Sequence, residues 1–231
     1  MENITYILAI LITLLILKII FNAKAKDIKK FETDEELEKI VEKLPDNEQL
    51  AKIYLQKLNN NTVKIDKWND EKIKTSVYNA MTNTITIGKI DKMYTRIQTV
   101  AHECLHSVQP KRILKFNFWF SNINILYFIV LLILTLFRII EETNIQIFIL
   151  LMLGIIQYSI KSYLEQDAMT KAKYLVNEYF DTNNDIENTE KEKLLKKYEE
   201  LNEKAIPFVS YSLIFSELLK ILLYLIIVII I

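Results

Sequence analysis

The chain has two histidines, His102 and His106, and both lie in the stretch TVAHECLHSVQ from Thr99 to Gln109. With Glu103 between them they spell H-E-x-x-H. On a helix turning about 100° per residue, positions four apart lie about 40° apart around the axis and one turn apart along it. Two imidazoles so placed can reach one metal ion, and Glu103 sits beside that face, close enough to hydrogen-bond a water on the ion. This is the pattern by which zinc hydrolases attach their metal and supply a base. Cys104 points elsewhere and reads as a small buried filler. The plainer reading is two hydrogen-bonded histidines in a packing face. It sits poorly with their being the only two in the chain and bracketing a glutamate.

A catalytic zinc usually has three protein ligands and one open position. No histidine is left, and a single cysteine excludes both a Cys-based cage and an internal disulfide. The remaining ligand must be a carboxylate. Tyr163-Leu164-Glu165-Gln166-Asp167-Ala168, at the end of an apolar run, offers two candidates, Glu165 and Asp167, which spacing does not separate.

The elements that must position these groups are dominated by apolar runs. Of 231 residues, 51% are hydrophobic, and they are bunched rather than dispersed. Ile4 to Phe21, Phe116 to Ile140, Ile145 to Leu164 and Pro207 to Ile231 each approach the ~20 residues that cross a bilayer. Four transmembrane helices are therefore expected, at 4–21, 116–140, 145–164 and 207–231. The first is an uncleaved anchor rather than a secretory signal, because its lysines (Lys24, Lys26, Lys29, Lys30) follow the run instead of preceding it. By the same rule, with Lys111, Arg112 and Lys115 ahead of the second run, segment 22–115 is expected in the cytoplasm. Segment 165–206, which carries Lys171, Lys173, Lys191, Lys193, Lys196 and Lys197, is expected there too. Both termini then lie outside, in a cell membrane. Glu217 and Lys220 fall inside the fourth run, where they are expected to pair. Zero net charge gives no nucleic-acid footprint, and with only Gly88 and Gly154 there is no glycine-rich phosphate loop.

Within segment 22–115, Thr33-Asp34-Glu35-Glu36 is a candidate capping box for a helix carrying Leu37, Ile40, Val41 and Leu44. A second helix follows Pro45-Asp46-Asn47. Thr62 to Asp66, Ser76 to Tyr78 and Thr84 to Ile87 alternate as strands, with a turn over Asn79 to Asn83. The motif helix is expected over Asp91 to Val108, ended by Pro110.

The stretches SVYNAMTNTITIGK, YTRIQTVAHECLHSVQ and YLEQDAMTKA resemble the neutral zinc metallopeptidases of the YugP type. These are membrane zincins more distantly similar to HtpX and the prenyl-protein proteases. The resemblance covers most of the chain by organisation, and is residue-specific at His102, Glu103, His106, Gln109, Glu165, Asp167 and Ala168. Leu105 stands where that family commonly has glycine, and the proline often found before the E-x-D-A glutamate is absent. The resemblance implies an α-helical membrane protein with a small α+β cytoplasmic zincin-like domain, an H-E-x-x-H helix plus short strands. It implies Zn2+ on His102, His106 and Glu165, with Asp167 orienting a ligand histidine. It also implies peptide-bond hydrolysis, zinc activating a water and Glu103 acting as general base. The partners would be a peptide or protein substrate, membrane-associated or not, and the lipid bilayer. The hairpin from Thr75 to Gly88 could hold an extended peptide or merely support the helix. Arg96, Tyr158 and Tyr163 are the conceivable oxyanion donors. An intramembrane protease is disfavoured by Asp91, Lys92 and Arg96 beside the motif. The alternative of another class is a non-catalytic, zinc-stabilised membrane adaptor or scaffold, which would have no use for Glu103.

Overall fold

The computed structural model describes residues 2–70 and 72–231. Eight helices and three strands are seen among them: α1 (Glu2–Ile20), α2 (Ala25–Lys29), α3 (Glu35–Val41), α4 (Asn47–Lys57), β1 (Lys64–Lys67), β2 (Val77–Asn79), β3 (Thr84–Ile87), α5 (Arg96–His106), α6 (Lys111–Leu136), α7 (Thr143–Thr182) and α8 (Asn188–Ile230). They group into two compact units.

The first unit comprises residues 2–24, Phe116–Tyr163 and Pro207–Ile231. It holds the apolar stretches of α1, α6, α7 and α8, the four helices long and apolar enough to cross a membrane. Its small interior is built from Leu131, Ile147, Leu150, Ile221, Tyr224 and Leu225, and α1 joins through Tyr6, Ile7 and Ile10. Outward, Leu8, Leu11, Ile12, Leu15 and Ile19 of α1 stand exposed, as do Ile123, Leu126 and Ile133 of α6. Apolar side chains on every face are what hydrocarbon surroundings demand. The expected Glu217–Lys220 pair is present at 2.6 Å, and the Asn124 amide donates to the same Glu217 oxygen at 3.3 Å. Gly154 of α7 lies against this group; a Cβ there would sit 3.2 Å from that of Glu217.

Both α7 and α8 outrun the apolar stretches they contain. α7 continues unbroken through Glu165 to Thr182, and α8 begins at Asn188 and passes through Pro207. The proline removes one backbone donor, yet α8 is continuous through it.

The second unit comprises Ala25–Lys115 and Leu164–Ile206. Its core gathers Leu37, Ile40 and Val41 of α3, Leu50 and Tyr54 of α4, Ile85 and Ile87 of β3, and one face of α5, with Ala168, Ala172, Val176 and Tyr179 of α7 and Leu194 and Tyr198 of α8. The sheet order is β1-β3-β2. β1 runs parallel to β3 (Ile65 opposite Ile85) and β2 antiparallel to it (Tyr78 opposite Ile85). β3 is therefore central, not half of an isolated hairpin. Gly88, just after it, passes so close to the Lys74 carbonyl carbon that a Cβ would come within 2.6 Å.

Local chemistry explains the boundaries. The α3 cap is Asp34, which accepts from the Leu37 N–H, while Glu38 reaches back to the Asp34 N–H. The anticipated Thr33–Glu36 box is thus shifted by one residue at its start and two at its partner, because Asp34 rather than Thr33 holds the extended N-cap position. With few glycines in the chain, left-handed helix ends fall to other residues: Asn22 after α1, Asn59 after α4 and Arg138 after α6. Each is flanked by the paired backward bonds of a Schellman turn, such as Asn60 N–H to Leu55 O and Asn59 N–H to Gln56 O.

Candidate metal centre

α5 is amphipathic by spacing. Ile97, Val100, Ala101, Cys104 and Leu105 are buried in the core, which leaves His102, Glu103 and His106 on the adjoining face. The helix begins at Arg96 rather than Asp91. Asp91 instead accepts from the Asn47 amide at 2.9 Å, and the Tyr94 carbonyl accepts from the Tyr198 hydroxyl at 2.7 Å. These tertiary bonds hold the approach to the helix in a non-helical path.

His102 Nε2 and His106 Nε2 face each other at 3.0 Å, and Glu165 Oε2 lies 3.3 Å from the first and 3.8 Å from the second. Among the described residues these three form a group able to hold a metal ion. Two ligands about 2.05 Å from a tetrahedral zinc stand roughly 3.3 Å apart, and the three observed separations bracket that value. Two nitrogens and one carboxylate oxygen are also a donor set that catalytic zinc uses. The residues fit the ion. Cys104 is not among them; its Sγ faces the Ala51 carbonyl at 3.7 Å, and burial pushes the thiol well above its ordinary pKa.

Glu165 is the carboxylate brought to the histidines. Burial alone would raise its pKa, but the two imidazoles outweigh that and hold it well below the usual carboxylate range. Burial likewise pulls His106 down, yet Glu165, Glu103 and Gln109 together leave it above an ordinary imidazole. Glu103 is 7% exposed. Its burial raises the carboxyl pKa, against the pull of His102 and His106.

Asp167 does not meet a histidine. It accepts from the Gln109 amide at 3.0 Å and pairs with Lys171 at 2.5 Å. Gln109 in turn donates to the Leu164 carbonyl at 2.8 Å and faces His106 Nδ1 at 2.8 Å. In the sequence Gln109 stood out only through the family resemblance, without a role. Its place three residues after His106, where α5 ends, is what lets the side chain fold back onto the ring.

Arg96 is removed from the oxyanion candidates. Its guanidinium is spent on the C-terminal end of α3, donating to the carbonyls of Val41 (2.6 Å), Leu44 (3.1 Å) and Pro45 (2.8 Å) and to Asn47 Oδ1 (3.1 Å). A cation on the last carbonyls of a helix is a capping device. Tyr158 and Tyr163 belong to the apolar unit. Comparison with protein-family models, with characterised proteins and with solved structures gave no match.

Proposed function

We propose that the chain is a membrane-anchored zinc peptidase similar to the YugP type, its second unit serving as a small zincin-like domain on the cytoplasmic side. The observation that carries this reading is the convergence of His102 Nε2, His106 Nε2 and Glu165 Oε2 with a buried Glu103 alongside. A zinc ion held by these three residues would supply Lewis acidity toward water and the scissile carbonyl. Glu103 is not needed to hold it. Buried beside the histidines, Glu103 is placed to take a proton from the attacking water and return it to the leaving amine. A structural metal site has no use for such a group, which favours an enzyme over an adaptor.

The substrate class is peptide or protein. β2 is an edge strand, and it lies against α5, the helix that carries Glu103. An extended peptide can add to such an edge by main-chain pairing. The lysine distribution supports the cytoplasmic orientation: reporters fused after Lys30 or at Asn184 should read as cytoplasmic, those at Thr143 or after Ile231 as external. A reporter at Asn184 reading external would overturn that orientation.

The deciding experiment uses the full chain purified in detergent. One zinc per chain and chelator-sensitive hydrolysis of an unstructured protein such as casein are expected. Stoichiometric zinc without hydrolysis, in wild type and Glu103→Gln alike, would favour the adaptor.

A further inference from the structure

We propose that Gln109 is a positioning residue: it sets the tautomer of His106 and clamps the segment that carries Glu165 against that ring. The inference rests on the metal-site reading above and adds to it the device that prepares the site.

The amide's orientation follows from its partners. Gln109 is buried, 5% exposed, and one end of its amide meets the Leu164 carbonyl and the Asp167 carboxylate. A backbone carbonyl accepts only, and an ionised carboxylate accepts only. The Asp167 carboxylate is paired with the Lys171 ammonium at 2.5 Å. The end facing both must therefore be the NH2 group, and Oε1 is turned to His106 Nδ1 at 2.8 Å. An oxygen there accepts, so Nδ1 carries the hydrogen. A neutral imidazole has one N–H, which leaves the Nε2 lone pair unprotonated. Nε2 is the atom that faces His102 and Glu165.

The same amide grips α7 on both sides of the third ligand, through the residue before Glu165 and the residue two after it. Asp167 thus acts on His106 at one remove, by fixing Gln109. A side chain with two donors and an acceptor is needed for this. Glutamate lacks the donors, and methionine, of similar length, lacks all three.

The test uses zinc as the probe and the full-length chain in detergent, labelled with 15N-histidine. Because the chain has two histidines, two ring spin systems are seen, assigned with His102→Ala. In zinc-free wild type, above the imidazole titration, His106 should carry its hydrogen on Nδ1. In Gln109→Met that preference should be lost, and zinc affinity, read by competition with a chromophoric chelator, should fall about 10–100-fold, as for loss of a partner of a ligand histidine. An unchanged tautomer with unchanged affinity would overturn the proposal.

A second comparison holds even if Gln109→Met does not fold. Gln109→Glu alone sets two carboxylates together, whereas Gln109→Glu with Asp167→Asn restores a donor between the two positions while keeping the acceptor for His106. The pair should bind zinc more tightly than the single variant and return the hydrogen to Nδ1; a pair no better than the single overturns the proposal. Casein hydrolysis separates the two readings. Zinc binding and tautomer behaving as described without hydrolysis would sink the peptidase and support the clamp. Hydrolysis with Gln109→Met binding zinc as wild type does would have the opposite meaning.

Discussion

Each unit contains a half-buried polar group, and the two are built on opposite terms. In the apolar unit Glu217 and Lys220 neutralise each other at 2.6 Å, with Asn124 on the same oxygen. Charges of opposite sign end in one another, and the pair asks for nothing further. In the second unit His102 Nε2, His106 Nε2 and Glu165 Oε2 converge on a common point from α5 and α7. The first is a staple closed within α8, reached from α6 by Asn124; the second brings two imidazole nitrogens and a carboxylate oxygen together from two helices, a set that could hold a cation.

Breaking each group should therefore have different consequences. The largest effects belong to the convergent group. His106→Ala and Glu165→Ala should each lose stoichiometric zinc and with it hydrolysis, whereas Glu103→Gln should keep zinc and slow hydrolysis by about 10²–10⁴-fold. Metal analysis and casein cleavage on the same samples decide this. Retention of zinc by Glu165→Ala would remove the third ligand assigned here.

Next comes the staple. Glu217→Leu leaves the Lys220 ammonium without its partner inside an apolar unit. Unfolding of the detergent-solubilised protein should show a loss of about 3–5 kcal/mol, as when one partner of a buried pair is removed. Replacing both residues by leucine should recover most of it, with zinc content unchanged throughout. If Glu217→Leu instead kept its stability and lost hydrolysis, the two groups would not differ as described.

A smaller effect is expected at Asp167. An asparagine there can still accept from Gln109, so Asp167→Asn should weaken zinc by no more than about tenfold, the lower end for such partners. Chelator competition reads it directly. The smallest belongs to Gly154→Ala. Its Cβ would press on Glu217 at 3.2 Å, while alanine's helix preference, worth up to about 1 kcal/mol, works the other way. A change of under about 1 kcal/mol in unfolding free energy is expected.

What the sequence made legible follows from what is local. H-E-x-x-H is readable because four residues on a helix guarantee a shared face whatever the rest of the chain does. Glu165 and Asp167 lie roughly 200° apart around α7, so only one can meet the histidines, but which one is fixed by how α7 docks, and that is tertiary. The composition from Asp91 to Tyr94 permits a helix; bonds from Asn47 and Tyr198, over 40 and 100 positions away, forbid it. Arg96 looked like a free cation near a reaction centre. Four carbonyl and amide oxygens from residues 41–47 claim it, and nothing in its own neighbourhood announces that. Glu165 to Lys204 reads as charged helices broken at Asp181–Asn184, and α7 ends at Thr182 with α8 starting at Asn188. That α7 runs into the first and α8 out of the second is not legible, because the change to charged residues marks where a helix leaves hydrocarbon, not where its backbone bonding stops.

The split of the ligands across the chain has a consequence for biosynthesis. Glu165 follows His106 by 59 positions, and the apolar stretches of α6 and α7 lie between them. At about 5–20 residues per second, a ribosome delivers the third ligand some 3–12 s after the first two. In that interval the nascent chain carries two histidines and a glutamate with no complete metal site. Completion waits on the hairpin of apolar helices being made, so on the proposed peptidase reading a chain stalled or truncated before Glu165 would lack a complete metal site and be inactive.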